Sequence, residues 1–194
     1  MKRGLDLLLA STALLVLAPL MIFLALVVRV VHGSPVLFAQ PRSGKMGEEF
    51  TLLKFRTMSE GPDDPTTDQE RLTVLGRILR ACSLDELPSL FNVIKGEMSL
   101  VGPRPLPVRY LERYSDEQLG RLRVRPGITG LAQVSGRNLL SWEERFELDL
   151  QYVATRSFLG DIRILTKTVA GVVRRDGVAT ETGESTPEFT GGHG

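Results

Sequence analysis

The N-terminal part of the chain is a long, uninterrupted apolar stretch. From Leu7 to Val28, 22 consecutive residues carry no charged side chain. As an α-helix this stretch would be about 33 Å long, close to the roughly 30 Å of hydrocarbon in a bilayer. Basic residues flank it on both sides, with Lys2 and Arg3 before it and Arg29 after it. The pattern predicts a helix inserted into a membrane.

Ala18 and Pro19 lie near the middle of this stretch and leave its course open. A proline inside a helix costs about 3 kcal/mol, so we expect a kink or a break there. The stretch is too long for a cleaved signal peptide, whose apolar part has about 7–15 residues. A straight span and a helix–break–helix that returns to the same face both remain, because the basic flanks on both sides give no preferred orientation.

The rest of the chain shows short and mixed patterns. Residues 36–40 and 50–55 are typical of strands, and the Pro/Gly-containing stretch 41–44 between them is typical of a turn. Apolar residues recur at helical spacing over 72–82 and again over 158–173. The second of these helices also carries Arg and Lys, which allows either an interfacial amphipathic helix or ordinary packing on the domain.

Composition narrows the possible chemistry. The chain has 24 Lys+Arg against 23 Asp+Glu, and this near-neutral balance argues against a nucleic-acid partner. One Cys rules out a disulfide framework. Only two His are present, which argues against a Cys/His zinc site and against most His-based catalysis. Carboxylates, Arg, Lys and hydroxyls must therefore carry any reaction.

The adjacent carboxylates Asp85 and Glu86 are the main chemical candidates. Ser83 and Glu86 have the spacing of a helix capping box, which would explain Glu86 without catalysis. Asp85 could instead ligate Mg²⁺ or attack phosphorus directly. Basic residues on loops framed by Gly and Pro, such as Arg104 between two prolines, suit phosphate recognition. Together with the apolar stretch, they point to a phosphate-bearing substrate at a bilayer surface.

Several motifs in order resemble the bacterial small monotopic phosphoglycosyl transferases, in the form that has only the catalytic domain. The motifs are Lys54–Met58, Ser83–Pro88, Gly96–Pro105, Arg125–Gln133 and Ser141–Asp149. The resemblance covers nearly the whole chain. The tail, with Glu188–Gly191, resembles the subgroup that uses UDP-linked acetamido sugars such as UDP-diacetylbacillosamine.

This resemblance implies a reaction and a set of site residues. A phospho-sugar would pass from a UDP-sugar to polyprenyl (undecaprenyl) phosphate with release of UMP, through a covalent aspartyl intermediate and with Mg²⁺ present. Asp85 would be the nucleophile and a Mg²⁺ ligand, and Glu86 its dyad partner, helping to activate the incoming polyprenyl phosphate. The residues expected to contact phosphates are Arg80, Arg104 and Arg137, helped by Lys54 or Arg56.

The resemblance also implies an architecture. We expect a mostly helical α/β fold with short strands and three parts: a re-entrant membrane helix (1–31), a catalytic domain (32–176) and a tail (177–194). The catalytic domain would lie against membrane lipids at the cytoplasmic face of the bacterial inner membrane. A homodimer and contacts with downstream glycosyltransferases are further expectations. One departure is Ala18, where the family commonly has Ser before the helix-breaking Pro19, so a hydroxyl that could satisfy backbone groups freed at the break is missing here.

Two other functions remain to be distinguished from the transferase. A membrane-tethered scaffold for glycan-assembly enzymes would tolerate replacement of Asp85 and Arg104. A phosphatase acting on lipid-linked substrates would release inorganic phosphate instead of UMP.

Overall fold

A computed structural model describes residues 2–59, 61, 68–136, 139–174 and 188–191 of the chain. Most of the acidic segment 59–70, most of the tail 177–194, and the expected phosphate-binding residue Arg137 lie outside the described residues. The described part is largely helical with four short strands, as the sequence predicts.

The helices and strands occur in the following order. The helices are α1 (Lys2–His32), α2 (Asp68–Arg71), α3 (Val74–Ala81), α4 (Ser89–Lys95), α5 (Leu131–Ser135), α6 (Trp142–Thr155) and α7 (Phe158–Arg174). The strands are β1 (Leu37–Ser43), β2 (Glu49–Phe55), β3 (Ser99–Val101) and β4 (Gly127–Thr129). Short 3₁₀ turns cover Lys45–Gly47, Leu84–Glu86, Val108–Arg113 and Gln118–Arg123.

Helix α1 is long and apolar enough to cross a membrane. Much of its surface is exposed, including Leu15 at 78% and Val30 at 85%. The helix continues through Pro19 without interruption. The structure therefore shows no break at Pro19, whereas a kink there and the re-entrant course stay predictions.

One face of α1 packs on the rest of the protein along most of its length. Ala10 packs in a cluster with residues of β2 and α4, and Val28 packs in a second cluster with Phe55 and Leu79. Near the start of the helix, Asp6 is buried and accepts hydrogen bonds from Ser99 Oγ (2.9 Å) and the backbone N–H of Leu100 (3.1 Å). Helix α1 and the rest of the protein thus bury apolar side chains against each other in two core clusters.

Strands β1 and β2 form an antiparallel hairpin, with Arg42 opposite Phe50. The expected turn at 41–44 is wrong, because β1 continues through Pro41 to Ser43 and the chain reverses around Lys45–Gly47. A proline fits here because Pro41 lies on an edge strand of a two-stranded sheet, where a missing N–H can be tolerated.

Strands β3 and β4 form a second, parallel pair, Ser99 opposite Gly127 and Val101 opposite Thr129. The two backbones approach very closely just beyond this pair. A Cβ at Gly127 would lie only 2.1 Å from the backbone nitrogen of Gly102. The packing here therefore requires glycine, and it holds the Pro103–Pro105 loop in place.

The helices after β4 complete the body. Ile164 of α7 and Tyr152 of α6 pack against Val101 in one core cluster. A separate aromatic cluster buries Phe189 (4% exposed) from the tail. Its other aromatic members are Tyr110, Tyr114, Trp142 and Phe146. Residues 188–191 are thus held against the body.

Candidate active site

The carboxylate pair and two of the expected cations meet beside the end of β2. Glu86 Oε1 accepts hydrogen bonds from Lys54 Nζ (2.6 Å) and Arg104 Nη2 (3.0 Å). The Lys54 ammonium also lies 4.0 Å from Asp85 Oδ2. Strand β2, the 3₁₀ turn Leu84–Glu86 and the Pro103–Pro105 loop each supply part of this cluster.

The capping box expected at Ser83 and Glu86 is wrong. Ser83 has a left-handed backbone (φ 54°) and makes no side-chain capping bond, and α4 begins only at Ser89. The left-handed conformation of a non-glycine residue is uncommon and turns the chain sharply before the 3₁₀ turn. As a result, Glu86 reaches the cations, while a capping box forms instead at Ser141 and Glu144.

The two carboxylates sit in opposite electrostatic situations. Burial by itself would raise the pKa of Glu86, but Arg104 and Lys54 outweigh it and lower that pKa to about 2. Asp85 is only 7% exposed, and its burial raises the pKa of its carboxyl despite the opposing effect of Lys54. Environments that separate the pKa values of two neighbouring acids are typical of active sites. Glu86 is firmly ionised, whereas Asp85 is a poorly compensated carboxylate.

The pKa values of the cations in this cluster are shifted as well. Glu86 raises the pKa of Arg104, whose side chain is half exposed (49%). Burial lowers the pKa of the Lys54 ammonium, although Glu86 acts against this effect. Arg104 therefore presents a permanent charge toward solvent beside the carboxylates.

Arg80 and Arg56 occupy different places. Arg80 Nε donates to Thr57 Oγ1 (3.1 Å), and its positive charge partly opposes the increase that burial causes in the pKa of Asp85. Arg56 is buried and donates to the carbonyl oxygens of Met58 (3.1 Å) and Ser34 (3.3 Å). The structure thus brings Arg80 to the edge of the site, while these two bonds use Arg56 to hold the backbone around β2.

Arg42 is a site residue that sequence reasoning missed. With Lys54, Glu86 and Arg104 it lines one cavity. Burial, together with the charges of Arg104 and Arg109, lowers the pKa of Arg42 to about 10. The turn expected at 41–44 hid this residue, because Arg42 in fact lies on β1 opposite Phe50, on the same face of the hairpin as Lys54, whose partner is Phe38.

A buried ion pair supports the Arg104 loop from behind. Arg121 Nη2 donates to the carbonyl oxygen of Arg104 (2.7 Å) and to Asp149 Oδ2 (2.8 Å). Arg121 Nη1 donates to the Tyr114 hydroxyl (3.1 Å). Since these bonds are made by buried, rigid groups, they fix the backbone from which Arg104 reaches Glu86.

The residues present fit a divalent cation that is shared with a substrate. In the described parts of the chain no three His, Cys, Asp or Glu residues cluster as a metal cage. Mg²⁺ needs no such cage, because it is commonly held by one or two carboxylates plus substrate phosphates. Asp85 is a buried carboxylate of this kind, and a cation beside it would offset its desolvation. The site can therefore hold phosphate groups and place a carboxylate next to them.

Comparisons with known proteins agree with this description. The family model described as "Bacterial sugar transferase" matches residues 1–175. An uncharacterized sugar transferase, EpsL of Bacillus subtilis, is 46% identical over 98% of this chain and 96% of its own length.

Two more relatives carry more specific names. The UDP-glucose:undecaprenyl-phosphate glucose-1-phosphate transferase of Caulobacter vibrioides is 40% identical over 90% of this chain and 70% of its own length. The undecaprenyl-phosphate galactose phosphotransferase of Salmonella typhimurium is 41% identical over 91% of this chain, but only 41% of that protein is covered.

These findings confirm the resemblance at the level of the family and support a sugar transferase rather than a protein of another class. The diacetylbacillosamine subgroup stays a prediction. The exposed apolar helix α1 and these lipid-carrier relatives together indicate association with a membrane. The match over nearly all of the chain means that it belongs to the bacterial sugar transferase family.

Proposed function

We propose that the chain transfers a phospho-sugar from a UDP-sugar to polyprenyl phosphate and releases UMP. The observation that carries this proposal is the division of roles between two adjacent carboxylates. Glu86 forms close ion pairs with Lys54 and Arg104, while the buried Asp85 has Lys54 as its nearest ion-pair partner, at 4.0 Å. The names of the two relatives that act with undecaprenyl phosphate support the same reaction class.

In the first step an Asp85 carboxylate oxygen attacks the phosphorus that bears the sugar. A bond forms between that oxygen and phosphorus, and the bond from phosphorus to the bridging oxygen of the diphosphate breaks. UMP leaves with the electron pair, and the phospho-sugar remains on Asp85. Lys54 and Arg104 lie where they can offset the charge that develops on the phosphate oxygens.

In the second step an oxygen of polyprenyl phosphate attacks the same phosphorus. The bond from phosphorus to the Asp85 oxygen breaks, which frees the carboxylate and gives a polyprenyl diphosphate sugar. A Glu86 carboxyl with a pKa of about 2 is a weak base. Its position therefore supports a role in holding Lys54 and Arg104, more than the activation of the acceptor that the family resemblance implies.

Mg²⁺, bound by Asp85 together with substrate phosphates, would supply Lewis-acid stabilisation of the diphosphate. Arg80 lies at the edge of the site, where its charge also favours a phosphate group. Arg137 stays a proposed phosphate contact that lies outside the described residues.

Both ends of α1 contact the same body, which supports a membrane helix that re-enters rather than crosses. Lys2 Nζ donates to Asp161 Oδ2 on α7 (2.5 Å). At the other end, the His32 ring nitrogen Nε2 and Thr73 Oγ1 share a hydrogen bond (2.9 Å). In line with the family resemblance, we place this body on the cytoplasmic face of the bacterial inner membrane. The homodimer and the contacts with downstream glycosyltransferases stay predictions.

The basic experiment measures UMP release by purified protein with UDP-sugars, undecaprenyl phosphate and Mg²⁺. A panel should contain UDP-diacetylbacillosamine and UDP-N-acetylated amino sugars, as the tail predicts, and UDP-glucose and UDP-galactose, as the relatives' names suggest. UMP release with one of these sugars supports the transferase. Release of inorganic phosphate alone would favour a phosphatase.

Asp85→Asn is the decisive variant, and Asp116→Asn, at an exposed position outside the cluster, is its control. The Asp85 variant should lose activity by several orders of magnitude, and the control should keep it. Without acceptor, the wild type should gain the mass of one phospho-sugar and the Asp85 variant should not. Full activity in the Asp85 variant would exclude the covalent step, and unchanged glycan output in cells would favour a scaffold.

A further inference from the structure

We propose that Arg42 is a further substrate-binding residue, whose guanidinium binds phosphate oxygens beside Lys54 and Arg104. This inference rests on the proposed function, because it names one more contact of the same site. It starts from the position of Arg42 near the end of β1, from which the side chain lines the cavity that also contains Glu86.

The hydrogen bonds of Arg42 leave much of its guanidinium unused. Nη2 donates to Gln40 Oε1 (2.5 Å), and Nη1 makes a long contact with the carbonyl oxygen of Pro105 (3.4 Å). Nε is buried and has no hydrogen-bond partner. Both partners are neutral, and Arg42 forms no ion pair with a carboxylate of the described residues.

The surrounding charges make a charged Arg42 guanidinium unfavourable when no anion is bound. The neighbouring cations Arg104 and Arg109 both repel the Arg42 charge. The negative charge of Glu86 is already shared between Lys54 and Arg104, and Arg109 pairs with Glu188 instead. Among the residues that line the cavity, the three cations Arg42, Lys54 and Arg104 face one carboxylate, Glu86, which leaves two positive charges in excess.

A phosphate group would supply the negative charge and the hydrogen-bond acceptors that Arg42 lacks. A partly buried guanidinium without a counter-ion loses hydration and gains little in return. Phosphate oxygens can accept from the planar guanidinium in a two-point arrangement, which a lysine ammonium cannot offer in the same way. The proline-framed loop of Arg104 and the sheet edge that carries Arg42 hold the two guanidinium groups on one cavity, so little side-chain ordering is needed on binding.

The phosphate could come from either substrate. The diphosphate of a UDP-sugar and the monophosphate of the polyprenyl acceptor offer the same oxygens to Arg42. Kinetics distinguishes the two sources: replacing Arg42 should raise KM for the UDP-sugar if it binds the diphosphate, and KM for the acceptor if it binds the polyprenyl phosphate. A variant in which neither KM changes would contradict the proposal.

The direct test measures binding without turnover. The purified wild type, Arg42→Gln and the control Arg123→Gln, at an exposed position, are titrated with inorganic phosphate and with UMP. Losing a charge-assisted contact should weaken binding of at least one ligand by about tenfold or more in Arg42→Gln. Binding by Arg123→Gln should stay within about twofold of the wild type, the small effect expected of a surface substitution. Equal affinities in the wild type and Arg42→Gln would overturn the proposal.

A second variant covers the case in which Arg42→Gln does not fold. Arg42→Lys keeps the charge and loses the planar fork, so its affinity for phosphate should fall between those of the wild type and a neutral variant, about threefold or more below the wild type. Unchanged affinity in Arg42→Lys would count against the proposal. Because neither titration requires catalysis, this result is independent of whether the protein releases UMP from any UDP-sugar.

Discussion

Replacing Asp149 by Asn removes the negative charge that faces a buried guanidinium. The side chains of Arg121 and Asp149 are only 2% and 5% exposed. Asp149 Oδ2 accepts from Arg121 Nε (3.0 Å) and Nη2 (2.8 Å). After the change, Arg121 keeps only neutral partners, among them the Tyr114 hydroxyl and the Arg104 carbonyl oxygen.

The expected loss is large because water cannot replace the missing charge. Breaking a buried ion pair by removing one partner costs about 3–5 kcal/mol. For a chain of this size, each kcal/mol lowers Tm by about 2–4 °C, so Asp149→Asn should lower Tm by roughly 6–20 °C. The loosened Arg104 loop should also reduce activity at temperatures where the variant is still folded.

The assay is thermal unfolding of the protein in detergent, at neutral pH, for the wild type and three variants. Glu147→Gln is the matched control, since it lies exposed on the same helix α6 and should change stability by less than about 0.5 kcal/mol. The double variant Arg121→Met/Asp149→Leu removes both charges and should recover most of the lost stability.

A Tm for Asp149→Asn within 2 °C of the wild type would refute this reasoning. A double variant that is less stable than Asp149→Asn would also refute it, because the loss would then come from packing rather than from an unpaired charge.

Three further predictions concern the dyad and the tail. In EDTA, Asp85→Asn should raise Tm at neutral pH: a pKa raised by burial means that ionisation costs stability, a cost that appears as pH rises through that pKa. Glu86→Gln should lower Tm at neutral pH, since a carboxyl with a pKa of about 2 stabilises the fold above about pH 4.5; the difference from the wild type should shrink as pH falls from about 4.5 toward 2. The two variants should therefore shift Tm in opposite directions, and shifts in the same direction would contradict the environments assigned to Asp85 and Glu86. Phe189→Ala should cost up to about 3–5 kcal/mol of the free energy that docks residues 188–191, measured as faster proteolysis of the tail, with Val169→Ala, at an exposed position, as control.

Local sequence patterns were informative where a single element decides the outcome. The apolar stretch from Leu7 to Val28 predicts α1, because length and the absence of charge suffice to identify a helix suited to a membrane. Periodicity over 158–173 likewise predicts α7, whose residues Phe158 and Val169 stay exposed. The neighbouring carboxylates Asp85 and Glu86 could be recognised as chemical candidates from their motif alone.

Patterns failed where the answer depends on residues far apart in the chain. The capping interpretation of Ser83 and Glu86 was reasonable locally, but Lys54 and Arg104 attract the Glu86 carboxylate more strongly than a backbone N–H does. The parallel pairing of β3 with β4 joins segments 28 residues apart, and each strand is too short to show a period of its own.

The sequence by itself determined a long apolar helix suited to a membrane and, through the scarcity of His and Cys, a chemistry restricted to carboxylates, Arg, Lys and hydroxyls. The mostly helical body with short strands followed from the family resemblance of its motifs. Only the tertiary structure decided which charges meet. The fold raises the pKa of Asp85 and lowers that of Glu86. It also directs Arg56 to backbone carbonyl oxygens, and it extends β1 to include Arg42, which lines the site. The physical reason is that burial and Coulomb interactions depend on distances in space, which sequence spacing does not specify.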